Sequence, residues 1–162
     1  MNSVTTVTAI LALIGSGIVA GVFYAFSSFI MKALSRVSSE EGIAAMQSIN
    51  VVVINPSFLS VFMGTAVFSL VLAGLSITGW GAPSAPWFLA GALFFLAGTF
   101  LVTGLGNVPL NDQLAAVSAS DSSAIALWEH YLQRWTLLNT VRTVFAIAAT
   151  IFFTLGLLQN VS

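Results

Sequence analysis

Four long apolar stretches dominate the hydropathy pattern, and each is long enough to cross a bilayer. They cover approximately residues 4–31, 56–78, 87–105 and 136–158. A transmembrane helix needs about 20 predominantly apolar residues, and polar segments or turn signals separate these stretches. The pattern therefore predicts an all-α integral membrane four-helix bundle, with one four-span domain over residues 1–162 and an up-down-up-down order.

A capping-box signature predicts a short helix after the first span. Ser38 is placed to accept a hydrogen bond from the backbone N–H of Glu41, whose carboxylate can reach back to the Ser38 N–H. The helix predicted over residues 39–54 is too short and too polar to cross a membrane, so we place it at the interface. Asn55 is then expected to cap the second span, with Pro56 in its first turn.

The third span is predicted to stop at residues 104–109, because Gly-Leu-Gly-Asn-Val-Pro disfavours a regular helix. Asn111 or Asp112 is expected to cap a second short helix beyond this point, since both residue types favour that position. The two short helices would lie on the same side of the membrane.

Few charges, unevenly distributed, place the chain in a membrane and orient it. Charged residues make up 6% of the chain, whereas soluble domains carry about 25%. Lys32, Arg36 and Arg134 follow the first and third spans, and the turn of residues 80–87 is uncharged. Basic loops tend to stay in the cytoplasm. We therefore predict that both termini lie outside and that the charged loops and short helices lie on the cytoplasmic side. We expect the membrane to be a bacterial inner membrane.

Composition also narrows the partners and cofactors. The chain has no cysteine and one histidine, which disfavours a metal site or a haem held by two histidines, and we predict no cofactor. With four basic residues and a net charge of −1, no nucleic-acid partner is expected. The predicted partners are the lipid bilayer, a hydrophobic small molecule and a second copy through glycine-rich faces such as Gly17 and Gly21.

One stripe on the last predicted helix carries the candidate chemistry. At about 100° per residue, five side chains fall within roughly 60–80° of one another. Arg142 lies about six residues, or roughly 9 Å, inside the fourth span. A charge there is costly and indicates a functional site, although an arginine that snorkels to the interface is the alternative. The stripe consists of Trp128, Tyr131, Trp135, Asn139 and Arg142.

An inward-facing Arg142 needs hydrogen-bond acceptors. Asn107, Asn111 and Asp112 leave the third span on the same side of the membrane, and we expect the carboxylate of Asp112 to pair with it. Asp112 could equally be a helix cap, and the aromatic residues of the stripe could be an interfacial belt. His130 lies roughly opposite the stripe and is predicted to face solvent.

Several motifs, in order along nearly the whole chain, resemble the anthrone oxygenase-like family of small bacterial and fungal membrane proteins. The blocks at residues 107–112 and 135–143 are the most specific. The motifs are Phe-Ser-Ser-Phe-Ile-Met-Lys-Ala-Leu at 26–34, Gly-Ile-Ala-Ala-Met-Gln-Ser-Ile-Asn at 42–50, Asn-Pro at 55–56, Gly-Asn-Val-Pro-Leu-Asn-Asp at 106–112 and Trp-Thr-Leu-Leu-Asn-Thr-Val-Arg-Thr at 135–143.

The resemblance implies a four-helix membrane bundle and, in some fungal members, cofactor-independent oxidation of an anthrone to an anthraquinone by O₂. This chain departs from the family pattern at two positions. Similar sequences often have histidine where this chain has Thr140, and proline where it has Lys32. If that histidine is a base in active members, this chain lacks it.

Two hypotheses of function follow. In the first, the protein oxidises a flat phenolic or anthrone-like substrate with O₂: Arg142 stabilises the oxyanion and Asp112 is the candidate base. In the second, it is a non-enzymatic bundle that binds a lipid or hydrophobic small molecule or stabilises a membrane assembly. For the first, the hydrogen-bond donors would be Asn139, counted with the catalytic residues, and Asn111. Asn107 would also bind the substrate, and the stacking residues would be Tyr24, Trp128, Tyr131 and Trp135.

Overall fold

The computed structural model describes residues 2–159, and within that range the chain is helical with no strand. Four of its helices are long and apolar enough to cross a membrane. The all-α four-span bundle predicted from the hydropathy pattern is confirmed. The helices are α1 (Ser3–Leu34), α2 (Ser39–Val52), α3 (Pro56–Thr78), α4 (Ala85–Ala115) and α5 (Ala124–Leu158).

Local hydrogen bonds explain where α2 and α3 begin. The Glu41 backbone N–H donates to Ser38 Oγ at 3.3 Å, and the Ser38 N–H donates to the Glu41 carboxylate at 3.0 Å. The bonds from Ser38 lower the pKa of the Glu41 carboxyl. Asn55 Oδ1 accepts from the Phe58 N–H at 3.0 Å, with Pro56 in the first turn of α3. Both predicted caps are confirmed, although α2 ends two residues before the predicted boundary.

The predicted stop at residues 104–109 is wrong, because α4 continues through it in π-helical form. The π-helical segments are Phe94–Leu101 and Thr103–Asn107, and the regular helical segment Val108–Ala115 follows directly. The wider π turns interrupt the regular ladder, and Pro109, which has no N–H to donate, lies in the first turn of the segment that follows them. A second separate short helix is therefore absent from the described residues.

The four spans pack in a ring, in which α1 lies between α3 and α5 and α4 contacts the same two helices. α1 and α5 run antiparallel: Ser16 Oγ lies 3.0 Å from Thr150 Oγ1, whereas Phe23, farther along α1, accepts a hydrogen bond from the earlier residue Asn139 at 2.7 Å. The apolar core has two parts. One includes Phe23 and Phe95 in the middle of the spans, and the other includes Trp135 beneath α2. The candidate site lies where these two parts meet.

Candidate functional site

The stripe on α5 faces the interior of the bundle, as its spacing predicts. Arg142 is 4% exposed and Asn139 is fully buried. Trp128, Tyr131 and Trp135 are buried as well, which excludes a lipid-facing aromatic belt at these positions. Because Arg142 is enclosed, the alternative in which it snorkels to the membrane surface is also wrong. His130, by contrast, is exposed, as predicted.

Neutral groups surround the Arg142 guanidinium. Its Nη1 donates to Thr103 Oγ1 at 3.1 Å and its Nη2 donates to Asn139 Oδ1 at 2.6 Å. The guanidinium carbon lies 4.0 Å from the centre of the Phe23 ring and 5.3 Å from that of Trp135. Its Nε is buried and has no hydrogen-bond partner among residues 2–159. The recorded contacts thus orient the cation through two hydrogen bonds and two ring faces but do not neutralise it.

The predicted pairing of Arg142 with Asp112 is wrong. Asp112 is exposed, and the hydrogen bonds of Arg142 go to Thr103 and Asn139 instead. The reason is the continuity of α4. Its inward face carries Thr103, Asn107 and Asn111, spaced four residues apart, so Asp112 is turned about 100° away from that face. The side chain therefore neither caps a helix nor reaches the bundle interior.

Asn139 connects Arg142 to α1. Its Nδ2 donates to the Phe23 carbonyl at 2.7 Å and to Ser27 Oγ at 2.7 Å. Phe23 precedes the π-helical turn Phe26–Ile30, where the regular bonding ladder changes. Since both donor positions of Asn139 are occupied, it positions the guanidinium and does not contact a ligand.

An aromatic ladder continues from Trp135 toward α2. Trp128 stacks on Tyr131 with ring centres 5.7 Å apart, and Tyr131 stacks on Trp135 at 5.9 Å. The Tyr131 hydroxyl and Trp135 Nε1 both donate to Asn111 Oδ1 at 2.8 Å. These two donors fix the orientation of the amide, so Asn111 Nδ2 is left as a donor. Of these residues, Trp135 and Asn111 line the cavity described next.

A cavity of about 370 Å³ lies beside Arg142, bounded by all five helices. This volume falls within the range of about 300–1,000 Å³ common for small-molecule sites. Most of the wall is apolar, including Phe23, Phe62 and Phe100. The polar lining residues are Asn50, Thr103, Asn111 and Arg142. The arrangement suits a largely apolar ligand that places a polar atom such as oxygen near the cation.

Several residues predicted to bind substrate lie elsewhere. Tyr24 is 59% exposed, because its neighbour Phe23 takes the inward position on α1. Asn107 is buried, but its Nδ2 donates to the Trp135 carbonyl at 3.2 Å and it does not line the cavity. Trp128 and Tyr131 stand behind Trp135. Thr140 is exposed and bonds to Ser27 at 3.0 Å, outside the cavity.

Sequence reasoning missed Phe23, Thr103 and Asn50. Phe23 and Thr103 contact the guanidinium, and Asn50 Nδ2 approaches the Tyr131 hydroxyl at 3.4 Å. A phenylalanine or threonine in an apolar span is indistinguishable from a packing residue by pattern alone. Within residues 2–159, no group of three or more His, Cys, Asp or Glu side chains could hold a metal ion.

Comparison with known protein families gives a match. A family model described as anthrone oxygenase matches residues 58–152, more than half of the chain. No curated protein and no solved structure shows significant similarity to this chain. The matched region starts near the beginning of α3 and ends within α5, so it contains Thr103, Asn111, Asn139 and Arg142.

Proposed function

The chain belongs to the anthrone oxygenase family, and from this premise we propose that the Arg142 cavity binds a flat phenolic or anthrone-like molecule and promotes its oxidation by O₂ without a cofactor. The observation that carries the proposal is a buried guanidinium beside an apolar cavity, with neutral acceptors on two nitrogens and no partner on Nε. Arginine keeps its proton in proteins, so this cation favours a ligand that brings negative charge.

The chemistry follows from that charge. An anthrone that loses a proton from its CH₂ carbon becomes an enolate, with negative charge shared between oxygen and carbon. Arg142 would stabilise the oxygen, and the attraction is stronger in an apolar cavity than in water. The carbanion carbon would bond to O₂, and cleavage of the O–O bond with loss of water would give the anthraquinone. One anthrone and one O₂ thus yield one anthraquinone and one water.

The roles of the side chains are revised accordingly. Asn111 would donate its free Nδ2 to the substrate, and Trp135 and Phe23 would contact its rings. Asp112 is exposed and is not the base. No carboxylate or imidazole from residues 2–159 lines the cavity. The chain's contribution would therefore be to make the bound substrate more acidic, with its proton passing to water.

The direct test uses the purified protein in lipid nanodiscs with anthrone in air-saturated buffer. An oxygen electrode would follow O₂ consumption, and absorbance would follow the anthraquinone. We expect consumption well above that of empty nanodiscs, with one O₂ used for each anthraquinone formed. A rate equal to that of empty nanodiscs would count against the proposed oxygenase.

Ligand binding without turnover is the second candidate. It is favoured because no carboxylate or imidazole of the described residues lines the cavity. A bundle locked by an Arg142–Asp112 pair is not supported, since that pair does not form. Binding of a coloured flat ligand such as 1-hydroxyanthraquinone, together with no oxidation of anthrone, would identify a carrier or sensor in place of an enzyme.

We further propose that the protein lies in a bacterial inner membrane with the loop containing Ser38 in the cytoplasm. The orientation is based on Lys32, Arg36 and Arg134. Since the chain has no native cysteine, Ser38→Cys and Gly81→Cys can each be probed with a membrane-impermeant maleimide in intact cells; Gly81 is exposed in the opposite turn. We expect labelling at position 81 only. Labelling at position 38 alone would show that the protein has the opposite orientation.

A further inference from the structure

The exposed part of the cavity wall belongs to one side of the bundle. Ile54 is 69% exposed, Met63 is 51% exposed and Val108 is 42% exposed, and Leu59 and Gly104 are exposed as well. These residues follow α2 or belong to α3 and α4. The lining residues of α1 and α5 are half-buried or buried. The mouth of the cavity therefore lies between α3 and α4.

The packing of α3 against α4 explains why the cavity opens between these two helices. The two helices are in close contact near the turn that connects them and have progressively fewer contacts beyond it, toward Thr103–Asn107. α1 and α4 both remain packed against α5 in this region, so the separation there is that of α3 from its neighbours. It opens at the end of the bundle where Arg142 lies.

Gly104 lies at the mouth of the cavity. It belongs to the π-helical segment Thr103–Asn107 and follows the residue that bonds to Arg142. A Cβ added to Gly104 would meet no neighbouring atom within 4 Å. A side chain at this position would therefore occupy the mouth without disturbing the backbone.

The mouth is bordered by hydrocarbon side chains. The side chains of Ile54, Leu59, Met63 and Val108 are hydrocarbon or thioether, and among the described residues Arg142 is the one charged residue that lines the cavity. Such a border disfavours a water-soluble ligand and is compatible with contact to lipid chains. We infer that the ligand reaches Arg142 sideways from the bilayer, through a passage between α3 and α4 that Gly104 keeps open. That this ligand is a flat phenolic or anthrone-like molecule rests on the proposed function.

A reversible block tests this route. Gly104→Cys can be modified with benzyl methanethiosulfonate in nanodiscs and restored with a reducing agent. The probe is 1-hydroxyanthraquinone supplied in the lipid, and its binding is followed by quenching of tryptophan fluorescence, since Trp135 lines the cavity. Gly74→Cys is the matched control, because Gly74 is also an exposed glycine of a membrane helix with open space at its Cβ, but it does not line the cavity.

We expect modification of Gly104→Cys to slow probe binding by about tenfold or more and reduction to restore it, with Gly74→Cys unaffected. An unchanged rate after complete modification at position 104, or an equal loss at position 74, would overturn the route. Failure of the unmodified protein to bind the probe would overturn it as well. Binding without oxidation of anthrone would instead contradict only the proposed oxygenase activity.

Discussion

Arg142→Leu is expected to reduce anthrone oxidation by at least about 100-fold, the scale found when one donor to a developing oxyanion is removed. Leucine fills the apolar site but offers no positive charge, so the enolate loses its stabilising group. The bundle is expected to remain folded, because the substitution removes a buried cation that has no counter-ion among its recorded contacts. Oxygen consumption in nanodiscs measures the first effect, and thermal unfolding measures the second.

Two further variants make this result specific. Arg142→Lys keeps the charge but loses the planar guanidinium, which donates to Thr103 and Asn139 at the same time. We therefore expect lysine to restore only part of the activity. Arg134→Leu removes an exposed arginine from the same helix and should behave like the wild type. Full activity in Arg142→Leu would remove the basis of the proposed site.

Thr103→Asp is expected to inactivate the protein about as strongly as Arg142→Leu, although it leaves the arginine in place. Thr103 Oγ1 already lies 3.1 Å from Nη1, so a carboxylate introduced there would be a nearby counter-ion. A paired guanidinium stabilises a substrate oxyanion less, and the new negative charge repels it. We therefore expect the rate of anthrone oxidation, measured by oxygen consumption in nanodiscs, to fall by about 100-fold.

The amide Thr103→Asn is the matched control for charge, since it has the shape of aspartate without its charge. It should keep most of the activity, and its thermal unfolding temperature should be close to that of Thr103→Asp. Equal activity in the aspartate and asparagine variants would mean that the net charge beside Arg142 does not matter, which contradicts the mechanism.

The spans, the two caps and the buried stripe could be predicted from sequence because each depends on local rules. Apolar length identifies a span, Ser38 with Glu41 forms a capping box, and 3.6-residue periodicity groups Trp135 with Asn139 and Arg142. These features need no knowledge of which helices are neighbours. The structure agrees with all of them.

The partners of Arg142 could not be predicted in the same way. Asp112 is chemically the better partner, but the π-helical segments keep α4 continuous and place Asn111 on the inward face in its stead. A pattern based on a regular helix does not register such turns. Phe23 and Tyr24 present the same difficulty, because a rotation of one residue decides which ring meets the guanidinium.

The central claim is that Arg142 stabilises negative charge on a bound oxygen, and the pKa of a bound phenol measures it most directly. An absorbance titration of 1-hydroxyanthraquinone in nanodiscs would give the phenol pKa for the wild type and for Arg142→Leu. An apolar cavity alone raises the pKa of a phenol, whereas a nearby cation lowers it. We expect the wild type to bind the probe with a phenol pKa below that in empty nanodiscs, and Arg142→Leu to raise it. A wild-type value equal to or above that of Arg142→Leu would contradict the account.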